Sequence, residues 1–506
     1  MVGMICWKTE FLPLSQRFAD RTAVVDTAGV VSYQQLFALA AGIGLAVGAA
    51  GARPGEAVGT LLPNSRLAVA ASYGVTLAGM GEARLNVALG PEDLAHCLST
   101  AGIKYVVTDR ARAALVEQLG ARAILAESAA PVDLAACEFP AVPNDGMGRI
   151  GFTSGTTGTP KGIVHSQEGR WIANVLLRAA LPFAPGSGDN ILLMTPFSHG
   201  ACQMTYAFLD GGAAITILPG VDAKLALPLI DAGKVNHMFA PPTVLAKLLA
   251  SAEQRPYPGL KAIYTGTSPL SGELYRRARN AFGPVIRVTY GKNEVWNPIS
   301  VLAPAEAEAW YGAAGEPTST CVGWPGAGVE VAIKKIEDEE ETDARIGEVL
   351  LRARHMFVGH IAGGTLTPNP AGAFHETGDL GFLDEAGRLH LCGRSADVMK
   401  SGGYRILPEE VEAPLREAIA PAEIAILSLP SSYWGEIVTA AITGPPPPAL
   451  AVAIGKLTRY KRPRLIAELD EIPRNAIGKV VRRRAREQIL AKYELIDGQY
   501  PKLVRL

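Results

Sequence analysis

Cysteine is scarce in this chain, and the few present are scattered. Cys6, Cys97, Cys137, Cys202, Cys321 and Cys392 include no Cys-x-x-Cys pair. That excludes a disulfide framework and the usual zinc spacings. They read as reduced, mostly buried thiols of a cytoplasmic protein. An excess of one charge is missing as well: Lys+Arg number 48 against Asp+Glu 49. Such a balance gives no global attraction to nucleic acid or an anionic membrane, so neither is expected as a partner. No apolar run approaches the ~20 residues of a membrane span. The opening Met1–Cys6 is too short for a signal peptide, and Lys8 and Glu10 interrupt it. What is present is length and apolar bulk. With 506 residues and 48% hydrophobic side chains, more than one domain with a large core is expected.

Helical and strand patterns alternate through residues 20–390. Ala57–Leu62, Tyr105–Thr108, Ala123–Leu125, Ile191–Met194 and Ala214–Leu218 read as buried strands. Leu67–Ala78, Leu225–Ala232, Pro242–Ala252 and Leu270–Ala281 read as helices. This alternation implies α/β layers. Beyond Gly328 shorter strands follow: Val329–Ile336, Gly347–Arg352, Gly381–Leu383 and Leu389–Cys392, a β subdomain. A small α+β unit begins near Arg394, with a helix at Pro408–Ala418 and a basic helix at Lys479–Lys492. The basic helix is as compatible with a solvated face as with a phosphate-binding patch.

Residues 153–162 read Thr153-Ser154-Gly155-Thr156-Thr157-Gly158-Thr159-Pro160-Lys161-Gly162. Glycines let backbone N–H groups approach anionic oxygens, hydroxyls add donors, and Lys161 adds charge. The usual nucleoside-triphosphatase loop ends in Gly-Lys-Ser/Thr and opens a helix. Here Pro160-Lys161-Gly162 closes the run, which argues against that mechanism.

The loop resembles the signature of the adenylate-forming superfamily, which includes acyl-CoA synthetases, adenylation domains of nonribosomal peptide synthetases and luciferases. Further motifs follow in the family's order. Tyr290-Gly291-Lys292-Asn293-Glu294 is similar to Tyr-Gly-x-Thr-Glu, with Asn293 replacing threonine. By resemblance Tyr290 stacks on adenine and Glu294 binds Mg2+. Gly266-Thr267-Ser268 resembles the segment around the adenine edge; a helix N-cap at Ser268 or Ser271 is equally compatible. Thr377-Gly378-Asp379 resembles the ribose-binding triplet, and Arg394 should reach the same ribose. A turn at Asp384–Gly387 would fold those two ends together. His199-Gly200 resembles the segment beside the acyl pocket, with His199 lining the carboxylate and thiol path. Met204, Phe239, Val295 and Trp296 suggest an apolar acyl group. No acid follows His199 to hold an ammonium, which argues against an amino acid. No arginine lies in that segment either, which weakens a dicarboxylate. Pro473–Lys479 resembles the terminal motif, whose Lys479 would reach the carboxylate and α-phosphate.

The resemblance departs at the hinge. Two residues after Arg394 the family usually carries aspartate or lysine; here it is Ala396, followed by Asp397. The loop Ser401-Gly402-Gly403, which would admit the thiol, is intact. The resemblance thus implies a large adenylating domain over 1–395, of α/β layers with a β subdomain. A small mobile α+β lid would span 396–506. The implied reaction is ATP- and Mg2+-dependent conversion of an apolar carboxylic acid to acyl-AMP, then a thioester with CoA. Two alternatives stand beside it. One is an adenylating component that passes acyl-AMP to a separate transferase or carrier protein, as split systems of bacterial secondary metabolism do. The other is a non-catalytic ATP-binding scaffold, disfavoured by Lys161, Glu294, Asp379 and Lys479. Monomer or homodimer stays open.

Overall fold

The computed structural model describes residues 3–153, 161–252, 255–313, 319–335, 345–402, 404–419, 422–475 and 479–506. Among them, three sheets organise the chain. The first has eight strands. Its parallel core is formed by Gly81–Arg84, Ala57–Leu61, Tyr105–Thr108 and Arg122–Leu125. Met147–Thr153 runs parallel to Gly81–Arg84 and pairs antiparallel with Lys161–Ser166. In the chain these two strands flank residues 154–160, the segment expected to hold phosphate, which lies outside the described residues.

The second sheet has 13 strands. Asn190–Leu193, Ala214–Ile217, His237–Phe239, Ala262–Thr265 and Ile286–Tyr290 are parallel. Ser300–Leu302 and Thr320–Pro325 then continue it antiparallel to Leu389–Arg394, His375–Leu383, Gly347–Ala353 and Val329–Lys335. The short strands expected beyond Gly328 are therefore an extension of the second sheet. Gly359–Ala362 and Thr365–Pro368 instead join the edge of the first.

Two helices lie between these sheets because their sequences permit it. In Arg66–Leu77 every residue from Ala68 onward is buried. It packs on Tyr33–Ala49 at backbone contact: a Cβ on Gly74 would meet the Ala40 carbonyl oxygen at 2.5 Å. Only glycine fits there. A capping box of Ser32 and Gln35 starts the second of these helices. The helix expected at Leu270–Ala281 runs Gly272–Phe282, because the Ser271 hydroxyl, and not Ser268, accepts the Leu274 N–H.

The third sheet combines Ile424–Ser431, Gly435–Thr443, Leu465–Leu469, Met399–Ser401 and Tyr404–Ile406. Helices Pro408–Ile419 and Pro448–Lys456 pack with one core of this unit and Arg482–Lys492 with another. The basic helix starts three residues later than expected. Asn475 and Lys479 close a turn first: the Asn475 N–H donates to the Lys479 carbonyl, and the Lys479 N–H to Asn475 Oδ1, both at 2.9 Å. Nor is its basic face wholly solvated. Arg482 is held by Asp397, Glu409 and Glu412 at 2.8–3.0 Å.

Candidate active site

Thr377-Gly378-Asp379 lies inside the strand His375–Leu383, not in a free turn. The Thr377 hydroxyl donates to the Val349 carbonyl of the next strand, which draws the triplet into the ladder. The turn at Asp384–Gly387 folds back as expected, and Asp379 pairs in register with Arg394. Asp379 is 6% exposed and is surrounded by donors. Tyr290 Oη donates a short hydrogen bond to Oδ2, Lys292 Nζ lies 3.0 Å from Oδ2, and Arg394 Nε 3.3 Å from Oδ1. Lys292 also donates to the Thr377 carbonyl at 2.5 Å. Burial alone would raise the Asp379 pKa. Lys292 and Arg394, with the Tyr290 hydroxyl, outweigh it and hold the carboxyl below its ordinary value. Lys292 carried no expectation. It occupies the variable position of its motif, so only its place beside Asp379 marks it.

The Tyr290–Glu294 segment rests on the hairpin that carries the phosphate loop. Asn293 Nδ2 donates to the Phe152 carbonyl at 3.2 Å, and His165 Nε2 donates to the Asn293 carbonyl at 2.7 Å. Burial lowers the His165 pKa to about 4, so this imidazole is neutral. Gly291 leaves room for the Asn297 amide. Thr153 and Lys161 face each other across the hairpin. Ser154, Gly155, Thr156, Thr157 and Gly158 lie outside the described residues. The Glu294 carboxylate acts on His375 and Lys479 through its charge and has no hydrogen-bond partner among the described residues. Its oxygens suit a Mg2+ ion, which binds through one or two carboxylates plus substrate phosphates and waters.

Gly266 approaches the next strand so closely that a Cβ would meet the Thr289 carbonyl oxygen at 2.3 Å. Thr267 follows at φ +70°, with its buried hydroxyl unpartnered. A β-branched residue in that region costs on the order of 1–3 kcal/mol and marks a functional segment.

Lys479 is brought to this site from the small unit. Burial lowers its pKa to about 8, helped by Arg394 and Lys292 and opposed by Asp379 and Glu294. Lys479 and Asp379, distant in sequence, are thus close enough in space for their charges to interact. If the protonated ammonium is the working form, kcat/KM for ATP falls about tenfold per pH unit above pH 8. The free enzyme sets this limit. Bound phosphate favours the cation, so kcat persists to higher pH. Lys479→Arg should remove the falling limb in a pyrophosphate-release assay. A wild-type kcat/KM that stays flat through this range would show that no cation is required there.

The acyl region departs from expectation. His199 sits in the wide turn Phe197–Ala201, and a Cβ on Gly200 would meet the Phe239 ring at 2.9 Å. Met204 and Phe239 belong to the same apolar core. Val295 does not join them; it bridges to Met356 in the core of the second sheet. Trp296 is not in an apolar setting. Arg149 lies 3.9 Å from its ring centroid, Arg84 5.8 Å, and His165 5.2 Å. Met204, Phe239 and Val295 thus lie in apolar cores, whereas Trp296 is surrounded by cationic side chains and an imidazole. His199 Nε2 lies 3.3 Å from Asn86 Nδ2, and burial with the nearby Arg84 charge lowers its pKa to about 4. Arg84 and Arg149 were not expected. A signal existed: Glu82 and Arg84 stand two apart in a short strand, so both face one side, and a fully buried strand rarely carries two charges.

Ala396, the expected hinge residue, is exposed in the single turn Ser395–Asp397. Its neighbour Asp397 pairs with Arg482 of the small unit at 2.9 Å. Gly393 just before it has φ +151°, and a Cβ there would strike the Glu409 carboxylate at 2.6 Å. Ser401 pairs with Gly435, and the Gly402 N–H donates to the Trp434 carbonyl at 2.9 Å. Gly403 lies outside the described residues.

A nucleotide-type carboxylate cradle, a glycine-rich loop on a hairpin and a lysine delivered by a second unit define an adenylate-forming architecture. The AMP-binding enzyme family profile matches residues 14–360, and the chain belongs to that family. It is 27% identical over 480 residues to a 2-succinylbenzoate–CoA ligase of Geobacillus sp. (strain WCH70), covering 93% of this chain and 95% of the relative. It is 28% identical over 518 residues to a Mycobacterium tuberculosis CoA ligase for a 7a-methyl-1,5-dioxo-octahydro-1H-inden-4-yl propanoyl group, covering 94% and 97%. The fold matches o-succinylbenzoate CoA synthetase from Bacillus subtilis bound to its acyl-adenylate, with TM-score 0.80 and 23% identity over 94% and 97% of the chains.

Proposed function

We propose that this protein is an AMP-forming acid–thiol ligase, with Mg2+, ATP, CoA and a small carboxylic acid as its partners. The observation that carries this reading is the meeting of Lys479 with Asp379, Arg394, Lys292 and Glu294. A carboxylate is already ionised at neutral pH, so no general base is needed for the first step. Its oxygen attacks the α-phosphorus, and the bond to pyrophosphate breaks. Lys479 offsets repulsion between the two anions as charge redistributes. Mg2+ on Glu294 would neutralise phosphate charge. Asp379 and Arg394 would hold the ribose, Tyr290 and Gly266–Ser268 the adenine, and Thr153–Lys161 the leaving pyrophosphate. In the second step the thiol of CoA attacks the acyl carbonyl past Ser401–Gly403 and beside His199. AMP leaves, and the thiol proton passes to solvent. Among the described residues no helix is long and apolar enough to cross a membrane, and a cytoplasmic location is part of the proposal. Pyrophosphate release across a carboxylate panel tests the first step, and thioester detection with CoA the second. No release with any acid would overturn the reading.

The hinge supports a second reading, in which acyl-AMP passes to a separate transferase or carrier protein. Asp397 is already committed to Arg482, and alanine at 396 cannot form different bonds in two lid poses. A bias of ~1.4 kcal/mol toward the adenylating pose would shift the population tenfold. The expected result is readily detected acyl-AMP, slow thioester formation, and a faster second step in Ala396→Asp. Equal rates for the two steps in the wild type would remove this reading.

A further inference from the structure

Arg84 has the least satisfied side chain near the proposed acyl site. It ends the strand Gly81–Arg84 and is 5% exposed; its Nε, Nη1 and Nη2 make no well-formed hydrogen bond among the described residues, and the Cys202 thiol, a weak acceptor, is the hydrogen-bonding group beside it. A guanidinium carries five N–H donors and keeps its charge in a protein. Buried donors are almost always satisfied, so three orphans on one side chain call for an absent acceptor.

Among the described residues none supplies one. Glu82 acts on Arg84 but also faces Arg170 at 3.5 Å, and neither of its oxygens has a hydrogen bond. Arg170 lies within range of Asp210, which faces Arg178 first. Arg149 adds another buried guanidinium, on the Trp296 ring, with Nη1 unpartnered. Arg84, Arg170 and Arg178 thus share the carboxylates Glu82, Asp210 and Glu10, none of which makes a hydrogen bond to Arg84. His199 and the Cys202 thiol beside Arg84 are neutral: burial lowers the first to about 4 and raises the second to about 11. Ser198 Oγ and Gln203 Oε1, flanking the same turn, are buried and unpartnered too.

We propose that Arg84 receives a second oxygen function of the acyl substrate, a ketone or a second carboxylate, remote from the carboxylate that reacts. The reacting end is fixed by Lys479, whose charged neighbours are Arg394, Asp379, Lys292 and Glu294. Those acting on Arg84 are Cys202, Glu82 and Tyr206. Arg84 lies instead beside the His199 turn and 5.8 Å from the Trp296 ring centroid, among the residues expected at the acyl group. A planar fork of donors suits a carboxylate in two-point contact and also binds a ketone oxygen. The substrate class is then an oxo acid or a dicarboxylic acid, where Met204, Phe239, Val295 and Trp296 suggested an apolar one. This rests on the acid-activating reading above.

The test measures kcat/KM for pyrophosphate release with three matched sets: plain monocarboxylates, oxo monocarboxylates and dicarboxylates of equal chain length. The wild type should prefer the oxo or dicarboxylic member by about tenfold or more, because a site built to hydrogen-bond an oxygen rejects its absence. The preferred arm identifies the ketone or the carboxylate. Arg84→Met should collapse that ratio toward one. A wild type that uses plain acids as well as or better than their matched analogues would overturn the proposal. So would an Arg84→Met variant that slows every acid by the same factor. If the variant fails to fold, the wild-type comparison still decides. No release with any acid would defeat the ligase reading instead, and release without preference only this inference.

Discussion

Lys479→Ala is expected to lower acyl-AMP formation by on the order of 10²-fold or more, with ATP binding largely retained. The magnitude follows from removing one charge-stabilising donor at a site where charge moves in the transition state. The geometry explains why binding should survive. The other groups expected to hold ATP, among them Asp379, Arg394, Tyr290 and the loop hairpin, lie on the two large sheets, and Lys479 alone arrives from the small unit. Lys292 and Arg394 remain as cations after the substitution. The lowered pKa of Lys479 points the same way: its ammonium is held in a desolvated, cation-rich place and gains most when two anions meet beside it. Pyrophosphate release and ATP titration on the same sample separate the two effects. Near-normal release in the variant would remove Lys479 from the mechanism. Lost binding and lost release together would make it a nucleotide-binding residue instead.

Legibility from sequence divides along a physical line. Placements local to the chain were readable: the two strands that flank residues 154–160, Tyr290 and Glu294 at and after the end of a parallel strand, and the return of Arg394 to Asp379 through a turn. Each needs only short-range geometry. The position of Thr377–Asp379 was less clear, because pairing with Gly347–Ala353 draws it into a strand. What escaped was set by long-range approach. Lys292 meets Asp379 across 87 residues of chain, and a variable motif position gives no sign of it. Arg84 reaches His199 and Trp296 from a different sheet. The apolar expectation drawn from Met204, Phe239, Val295 and Trp296 therefore contained no sign of these guanidiniums. Val295 and Trp296 are adjacent in sequence yet face different environments, as neighbours in extended backbone do.

Asp379→Ala is expected to weaken ATP binding by about 10- to 150-fold, the equivalent of roughly 1.5–3 kcal/mol for a lost charge-assisted acceptor. The carboxylate is well prepared for that role. Lys292 and Arg394 keep it ionised, and Tyr290 fixes its rotation. Each carboxylate oxygen can accept more than one hydrogen bond, so ribose hydroxyls can join donors already present. Alanine would also leave the Lys292 ammonium and the Tyr290 hydroxyl without their buried partner, which lowers stability. The affinity loss alone could therefore arise from local rearrangement. Titrating ATP and its ribose-dideoxy analogue into both proteins separates the causes. In the wild type, deleting the ribose hydroxyls from the ligand should cost a similar factor. In Asp379→Ala it should cost little, because their acceptor is already gone. Equal penalties in the two proteins would place the ribose elsewhere, and Asp379 would then serve only to anchor Lys292 and Arg394.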